Sequence, residues 1–510
     1  MKPASTQNKP VLNSQANQPL VKSSVAARRS FLAAAAASVA CCIGTRASLA
    51  NDQQGAVTVA VAPLDLMRVR IEMDVKGNVN VPGDPLVSRK SQVTLPIQSN
   101  AVLDYEERYR RPEGAASDSY VTAIERYYHD AHSTSELNRT KKKLELRDSV
   151  RQTQVRRDAL PEVIYAVEDY FTNDEMSLLR VPVASSALDQ LLPSVAVQQG
   201  DKFQPSSEAM TSVLNLTSVQ TSDVVVEVAE ITTTHVKFQL KGKVEGSVDG
   251  VPTTIKTVGK LTFDRDAQVC SWLAMAVHET REVGKAEPGF DVAATIKMIR
   301  QPMPKPVALP STPAQMAIEG AVPKDRLYVD LQSKYVGVSA VMDRNWRMMS
   351  DQNGNAMMRM IENDRSIAQC NLRPLARLKP GEQWTLEAFQ NDIQRTLGND
   401  LNDLIEADQR VSAAGLRVLR VTAHGAVQGV PIQWIVLHFS DDSGRRVLAT
   451  FTMSGDSIDA FAGADMQLAD SLSFLAPAAS DDTEEATEVA SAAKNSYVGD
   501  DKVQSASDLR

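Results

Sequence analysis

Residues that do chemistry are scarce in this chain. Its 510 residues hold six histidines and four cysteines. Two of those cysteines, Cys41 and Cys42, fall in an N-terminal apolar run, which leaves Cys270 and Cys370. There is no Cys-x-x-Cys pair, no Gly-x-Ser-x-Gly elbow and no glycine-rich phosphate loop ahead of a helix. These absences remove the common marks of redox, serine-hydrolase and nucleotide chemistry. They do not exclude an enzyme, because catalytic groups converge from distant positions. Positive charge is not in excess either. The formal net charge of −8 argues against a nucleic-acid partner, which favours a basic surface. Outside residues 31–44, no apolar run approaches the ~20 residues of a spanning helix. The chain beyond that run is therefore expected to have no transmembrane helix and to be soluble or tethered only at its N-terminus.

What is present first is an address. Lys2, Lys9, Lys22, Arg28 and Arg29 precede an Ala-rich apolar run, and Ser48-Leu49-Ala50 offers small residues for a signal peptidase. Arg28-Arg29-Ser30-Phe31-Leu32 resembles the bacterial twin-arginine (Tat) export signal, with Ala33 where a lysine is usual. The resemblance implies residues 1–50 as a signal cleaved near Ala50, and a periplasmic or extracellular location. Cys41, after Ser38-Val39-Ala40, stands close to a lipoprotein box, which keeps a lipid anchor at Cys41 as an alternative.

The remainder reads as an α+β protein of two domains, each a mainly antiparallel sheet with packed helices. Residues 51–300 form the first. Val69, Ile71, Met73 and Val75 alternate with polar residues, as do Val93, Leu95 and Ile97. Asn78–Pro85 reads as a turn. Short helices are expected from Asn173-Asp174 to Leu179, from Ser185 or Ser186 to Leu192, and after Ser206. Four strands then follow as a meander over 224–282, with Asp249-Gly250 as one hairpin turn. Six prolines in residues 301–324 mark a linker. In the second domain, 325–475, Thr385 caps a helix bearing Leu386, Phe389, Ile393 and Leu397. Leu401, Leu404 and Ile405 suggest another helix. On the strand Val430–Phe439, Ile432, Trp434 and Val436 point one way and Ile435, Leu437 and Phe439 the other, so both faces need cover. Residues 476–510 are acidic and poor in core-forming side chains, a disordered tail.

Each cluster that suggests chemistry has a plainer reading. His278-Glu279-Thr280-Arg281-Glu282 begins like a zincin helix, but Glu282 stands where the second histidine belongs. Glu125, His129 and His132 supply zinc-type ligands, yet the tract reads as a strand followed by polar loop, with no fourth ligand. Asp264/Asp266 and Asp441/Asp442 sit where hairpins need turn residues. His424 and His438 lie on neighbouring strands. The basic stretch Arg139–Arg157 suits an anionic surface or, more simply, a solvated strand face, since Leu144, Leu146 and Val150 supply apolar positions between the charges. Cys270 and Cys370 read as buried thiols in different domains rather than a disulfide. No catalytic, cofactor-binding or metal residue is assigned.

The residues Arg417–Val421 through Gly425, Val430–Ile435 and Asp442–Arg446, with Asn345-Trp346 and the helix after Gly381, resemble the PsbP-like group in order and spacing. That resemblance implies an α/β/α sandwich in 325–475 and a non-catalytic binding or assembly role. The stretch Leu191-Leu192-Pro193 to Gly200-Asp201, ahead of the meander, resembles β-rich modules of uncharacterised exported proteins of planctomycete-type bacteria and implies no activity. The expectation is an exported cell-envelope protein of binding or scaffolding type, with an envelope protein or an amphiphilic ligand as partner. A hydrolase of cell-wall or extracellular polymer and a lipid or amphiphile carrier are the alternatives.

Overall fold

Period-two alternation dominates the computed structural model, which describes residues 56–59, 61, 66–82, 92–110, 123–157, 162–285, 287–312, 321–379 and 381–476. The signal region 1–50 and the tail beyond residue 476 lie outside them. Strands β1 (Leu66–Pro82), β2 (Gln92–Arg110), β3 (Ala123–Leu137), β4 (Thr140–Glu145), β5 (Gln152–Arg156) and β6 (Val163–Ala166) lead into a two-residue strand, β7 (Phe171–Thr172). After the helical segment come β8 (Lys202–Phe203), β9 (Ser218–Ser222), β10 (Val225–Ile231), β11 (His235–Val248), β12 (Val251–Asp264), β13 (Val269–Arg281) and β14 (Gly289–Pro302). All but β7 join one sheet in the order β6-β5-β3-β2-β1-β14-β13-β12-β11-β10-β8, with β4 on β3 and β9 on β11. The pairings are antiparallel, and β1 carries β2 on one side and β14 on the other.

Alternation decides which face is covered. Met67, Val69 and Ile71 of β1 are buried, while Arg70, Glu72 and Asp74 face outward. Cross-strand partners continue the apolar face: Ile71 opposes Leu103 and Met298, and Met298 opposes Leu273. Helix α1 (Asn173–Leu179), a 3-10 stretch over Ser185–Leu191 and helix α2 (Ser207–Leu214) lie over that face, with Leu179, Leu188 and Met210 in the same apolar cluster. Thr172 begins α1 with a capping box to Glu175, and Ser206 caps α2 through the Ala209 N–H.

Two expectations in this part are corrected. Asn78–Pro82 is strand, because Asn78 is paired on both sides, to Pro96 and to Asp291. His129–His132 is also strand rather than loop, with His129 the extra residue of a bulge opposite Asp104-Tyr105. The meander has a fifth long strand, β14, that returns to β1.

The C-terminal part adds β15 (Tyr328–Ser333), β16 (Val338–Asp343), β17 (Trp346–Gln352), β18 (Asn355–Glu362), β19 (Arg365–Leu375), helix α3 (Leu386–Leu397), β20 (Leu401–Val411), β21 (Arg417–Val427), β22 (Val430–Ser440), β23 (Arg446–Ser454), helices α4 (Ile458–Phe461) and α5 (Ala464–Ser471), and β24 (Ser473–Phe474). One sheet runs β17-β18-β19-β23-β22-β21-β20. A small one runs β24-β16-β15-β7, so β7 of the N-terminal part lies parallel to β15. Central β22 packs Ile432, Trp434 and Val436 against Phe389 and Ile393 of α3. Its Ile435, Leu437 and Phe439 join the cluster that holds Phe461, Leu468 and Leu472. That cluster extends from Val59 to Leu472. The fold is thus a β-rich α+β arrangement of mostly antiparallel sheets with few helices.

Leu401–Ile405 is strand, not helix. Bulges at Asn402 and Ile405 set Leu401, Leu404 and Ala407 opposite Gly425, Ala423 and Val421. A spacing of three along the chain thereby falls on one strand face, which imitates a helical stripe.

Candidate functional site

A dense group of ionisable side chains lies between β2, β3, β14 and the 3-10 stretch. Glu107 is fully buried and accepts from Arg126 Nε (3.1 Å), Tyr109 Oη (2.7 Å) and Ser185 Oγ (2.8 Å). Tyr105 donates to Ser185 at 2.9 Å, and the Arg126 guanidinium sits 5.0 Å from the Tyr105 ring centroid. Arg300 donates to both oxygens of Asp189, at 2.9 and 2.8 Å, and to Tyr109 Oη at 3.0 Å. Burial pushes the Tyr105, Tyr109 and Tyr128 hydroxyls up, so they stay protonated. The cavity beside this group holds only about 50 Å³. Ser185 is fully buried and spoken for by Glu107 and Tyr105. The arrangement pins the 3-10 stretch to the sheet and gives a substrate no room.

A second arrangement holds the segment after β14 on the outer face. Glu106 accepts from the backbone N–H of Val307 (2.9 Å) and Ala308 (2.6 Å), and His129 Nε2 lies 2.8 Å from it. Although burial works against ionisation, these donors hold the Glu106 carboxyl below the usual range. Arg108 reaches the Pro310 carbonyl at 2.6 Å.

The sequence candidates separate. Glu125 is paired with Arg108 and Arg110, His129 with Glu106, and His132 with Asp130. His278 pairs with Asp291 at 2.9 Å on a strand, and Glu279 with Arg281 at 2.6 Å. Asp264 accepts from the N–H groups of Asp266 and Ala267, as a turn residue does. Asp441 is bonded to Arg445 and Ser443 and is held below the usual carboxylate range by them. With Asp442 it lines a surface cleft of about 670 Å³ beside Gln409, Arg410 and Arg417. His424 contacts Gln433, whereas His438 is fully buried against Trp384 and Phe389. Burial lowers the His438 pKa to about 4, helped by Arg446 and Arg417. Cys270 and Cys370 are free buried thiols, both pushed up by burial. Among the described residues, no three His, Cys, Asp or Glu side chains gather as a metal ion requires. In the basic stretch, Lys141–Lys143 are exposed, but Arg156 and Arg157 are buried rather than solvated. Arg157 contacts Glu162 and the Ser186 carbonyl.

One opening differs in kind. Past Ile71 the inner face of the sheet is less fully covered, and Met73, Val75 and Ile97 are only half-buried. With Ile255, Val277, Phe290, Val292 and Ala294 they form the floor of a cleft of about 420 Å³, faced by Pro182, Leu214, Leu216 and Val248. That is within the roughly 300–1,000 Å³ of small-molecule sites, which are mostly apolar with a few polar groups. Charged groups line it as well: Glu279 stands in the floor between Ile255 and Val292 of the neighbouring strands, Arg281 lies opposite Phe290, and Glu162, Arg180, Asp249, Glu287 and Arg347 complete the charged lining, with Ser177, Asn215 and Thr217 as neutral polar groups. Arg281 pairs with Glu279 and lies 4.9 Å from the Phe290 ring centroid. Arg347, from β17, bonds Glu287 and reaches Asp249 at 3.4 Å. Both parts of the chain therefore contribute to one cleft. The contact is fixed nearby, where Lys285 N donates to Asp364 at 2.8 Å and Gly250, in left-handed conformation, abuts Asn363. Sequence reading missed this site. Its apolar residues alternate as any half-buried strand does, and its charged residues are spread from 162 to 347. The half-buried β1–β2 hairpin was the available signal.

No family model and no curated protein matches the chain. It is weakly similar to solved structures of the PsbP and Mog1 folds. The cyanobacterial PsbP of Synechocystis is 12% identical, over 31% of this chain and 98% of its own, with a TM-score of 0.23. The Ran-binding protein Mog1p of Saccharomyces cerevisiae is 8% identical, over 29% of this chain and 95% of its own, also at 0.23. A Bacteroides thetaiotaomicron protein is 10% identical at a TM-score of 0.22, and this chain spans about half its length. Similarity at this level carries no argument about the site.

Proposed function

We propose that the chain is an exported cell-envelope protein of non-catalytic type that binds an amphiphile in the cleft over β1, β13 and β14. The observation supporting it is the composition of that cleft: a mostly apolar floor and facing wall, whose charged side chains are paired with one another, as Glu279 is with Arg281 and Glu287 with Arg347. Burying an alkyl chain there is favourable by about 0.8 kcal/mol per methylene. The groups an acyl-transfer or glycosidic mechanism needs are not convergent inside it, and its carboxylates are engaged by arginines. Export rests on the Arg28-Arg29 signal, with cleavage near Ala50. Replacing both arginines by lysine should leave the protein in the cytoplasm; undiminished export would remove the Tat assignment. The division into a β-rich domain over 51–300, a linker over 301–324 and a PsbP-like α/β/α sandwich over 325–475 belongs to the same reading. Its support is β22, apolar on both faces, between α3 and the α4–α5 side.

The experiment is native mass spectrometry of the purified full chain. The reading expects a co-purifying or added single-chain amphiphile at one per protein, released by organic extraction. A clean apo mass that no added amphiphile shifts, or turnover of ester, glycan or peptide substrates, would overturn it.

A further inference from the structure

The charged lining of the cleft specifies more than an alkyl chain. Four carboxylates and three arginines stand there, and they are not equally engaged. Glu279 is held by Arg281 at 2.6 Å, Glu287 by Arg347, and Glu162 by Arg157 at 2.9 Å. The fourth, Asp249, is shared: Arg347 Nη2 lies 3.4 Å and Arg180 Nη1 3.7 Å from the same oxygen, Oδ2. Arg180 thus makes a long ion pair to an oxygen already used by a second guanidinium. Its side chain is about half exposed (47%) while the cleft lies beside it. A cationic head would find each of these carboxylates already facing an arginine. An anionic head would find Arg180, and could replace a long shared contact with a short bidentate one.

From this we propose that the ligand is a single-chain amphiphile with a carboxylate head, its chain on the Met73–Val292 floor and its head on Arg180. The proposal rests on the amphiphile reading above and sharpens it. Crowding of like charge supports it further. Arg344, half-buried and bonded to the Leu327 and Ile164 carbonyls, has its pKa lowered to about 10 by desolvation and then by Arg180. Arg347 is lowered for the same first reason, with Arg180 again acting against Asp249. An anion at Arg180 would offset this repulsion. A volume of about 420 Å³, toward the lower end of ligand sites, suits one chain rather than two.

The test is calorimetric titration of the full chain with three probes of equal chain length, each below its micelle concentration: dodecanoate, dodecanol and dodecyltrimethylammonium. Dodecanoate is expected to bind about tenfold tighter than dodecanol, the size of one charge-assisted contact, and the cation weakest. Arg180→Ala should erase the difference between dodecanoate and dodecanol, with the circular dichroism spectrum unchanged. Arg180→Lys should restore part of it. Equal binding of dodecanoate and dodecanol, preference for the cation, or a preference that survives Arg180→Ala would overturn the head-group assignment but leave the amphiphile reading standing. Binding of none of the three would overturn both.

Discussion

At the scale of single residues, the molecule puts ionised groups where apolar ones would be ordinary. Arg300 is almost fully buried and has one bidentate partner, Asp189. Removing one side of such a pair leaves an uncompensated charge, so Arg300→Met should cost about 3–5 kcal/mol in urea unfolding. The double change Arg300→Met, Asp189→Leu should cost less than the single one; a double variant as unstable as the sum would contradict a paired role. His438 presents the opposite case, a buried histidine kept neutral. Its folded pKa of about 4 lies below the ordinary 6.5, so the unfolded chain takes up the proton first as pH falls. Its contribution is intact above pH 6.5 and is lost progressively toward pH 4, roughly 3 kcal/mol across that window. His438→Leu should flatten the pH dependence of stability between 6.5 and 4. An unchanged slope would mean that His438 is solvated in the folded state.

At the scale of elements, β20 carries the plainest check. The bulges at Asn402 and Ile405 turn Leu404 toward Trp434 and α3 and leave Ile405 outside, about half exposed. Ile405→Lys should change stability by no more than ~0.5 kcal/mol, as surface substitutions do. Leu404→Lys should cost about 1–3 kcal/mol, since it takes a charged group into the apolar cluster. The reverse order would argue for a helix. The same segment marks how far sequence can be read. The meander over 224–282, the caps of α2 and α3, and the two apolar faces of β22 were legible because each rests on local periodicity or a local hydrogen bond; α1 was expected, but its cap is Thr172 rather than Asn173 or Asp174. Leu401–Ile405 was not, since a bulge changes the period without changing composition. The cleft was not legible either. Met67–Ile71 and Met73–Val75 have the same alternation, and only what packs over them makes the first stretch core and the second the floor of a cleft. Nor could the pairing of Arg347 with Asp249 be read from residues almost a hundred positions apart.

At the scale of the whole molecule, the two parts are joined at the place where a ligand would enter. Arg347 of β17 closes one side of an opening whose floor belongs to β1, β13 and β14. The His129–Glu106 contact and the Val307–Pro310 segment fasten the opposite, outer surface. Among the described residues no helix is long and apolar enough to cross a membrane. An amphiphile held by such a protein would be shielded by the inner face of the sheet. The most direct test is photo-crosslinking of the full chain with a diazirine-bearing dodecanoate, followed by peptide mapping. The account expects adducts on peptides that carry Met73, Ile97, Val277 and Val292, competed by unlabelled dodecanoate and lost on Val277→Trp, which fills the cleft. Adducts confined to other surfaces, or a pattern that Val277→Trp leaves unchanged, would contradict it.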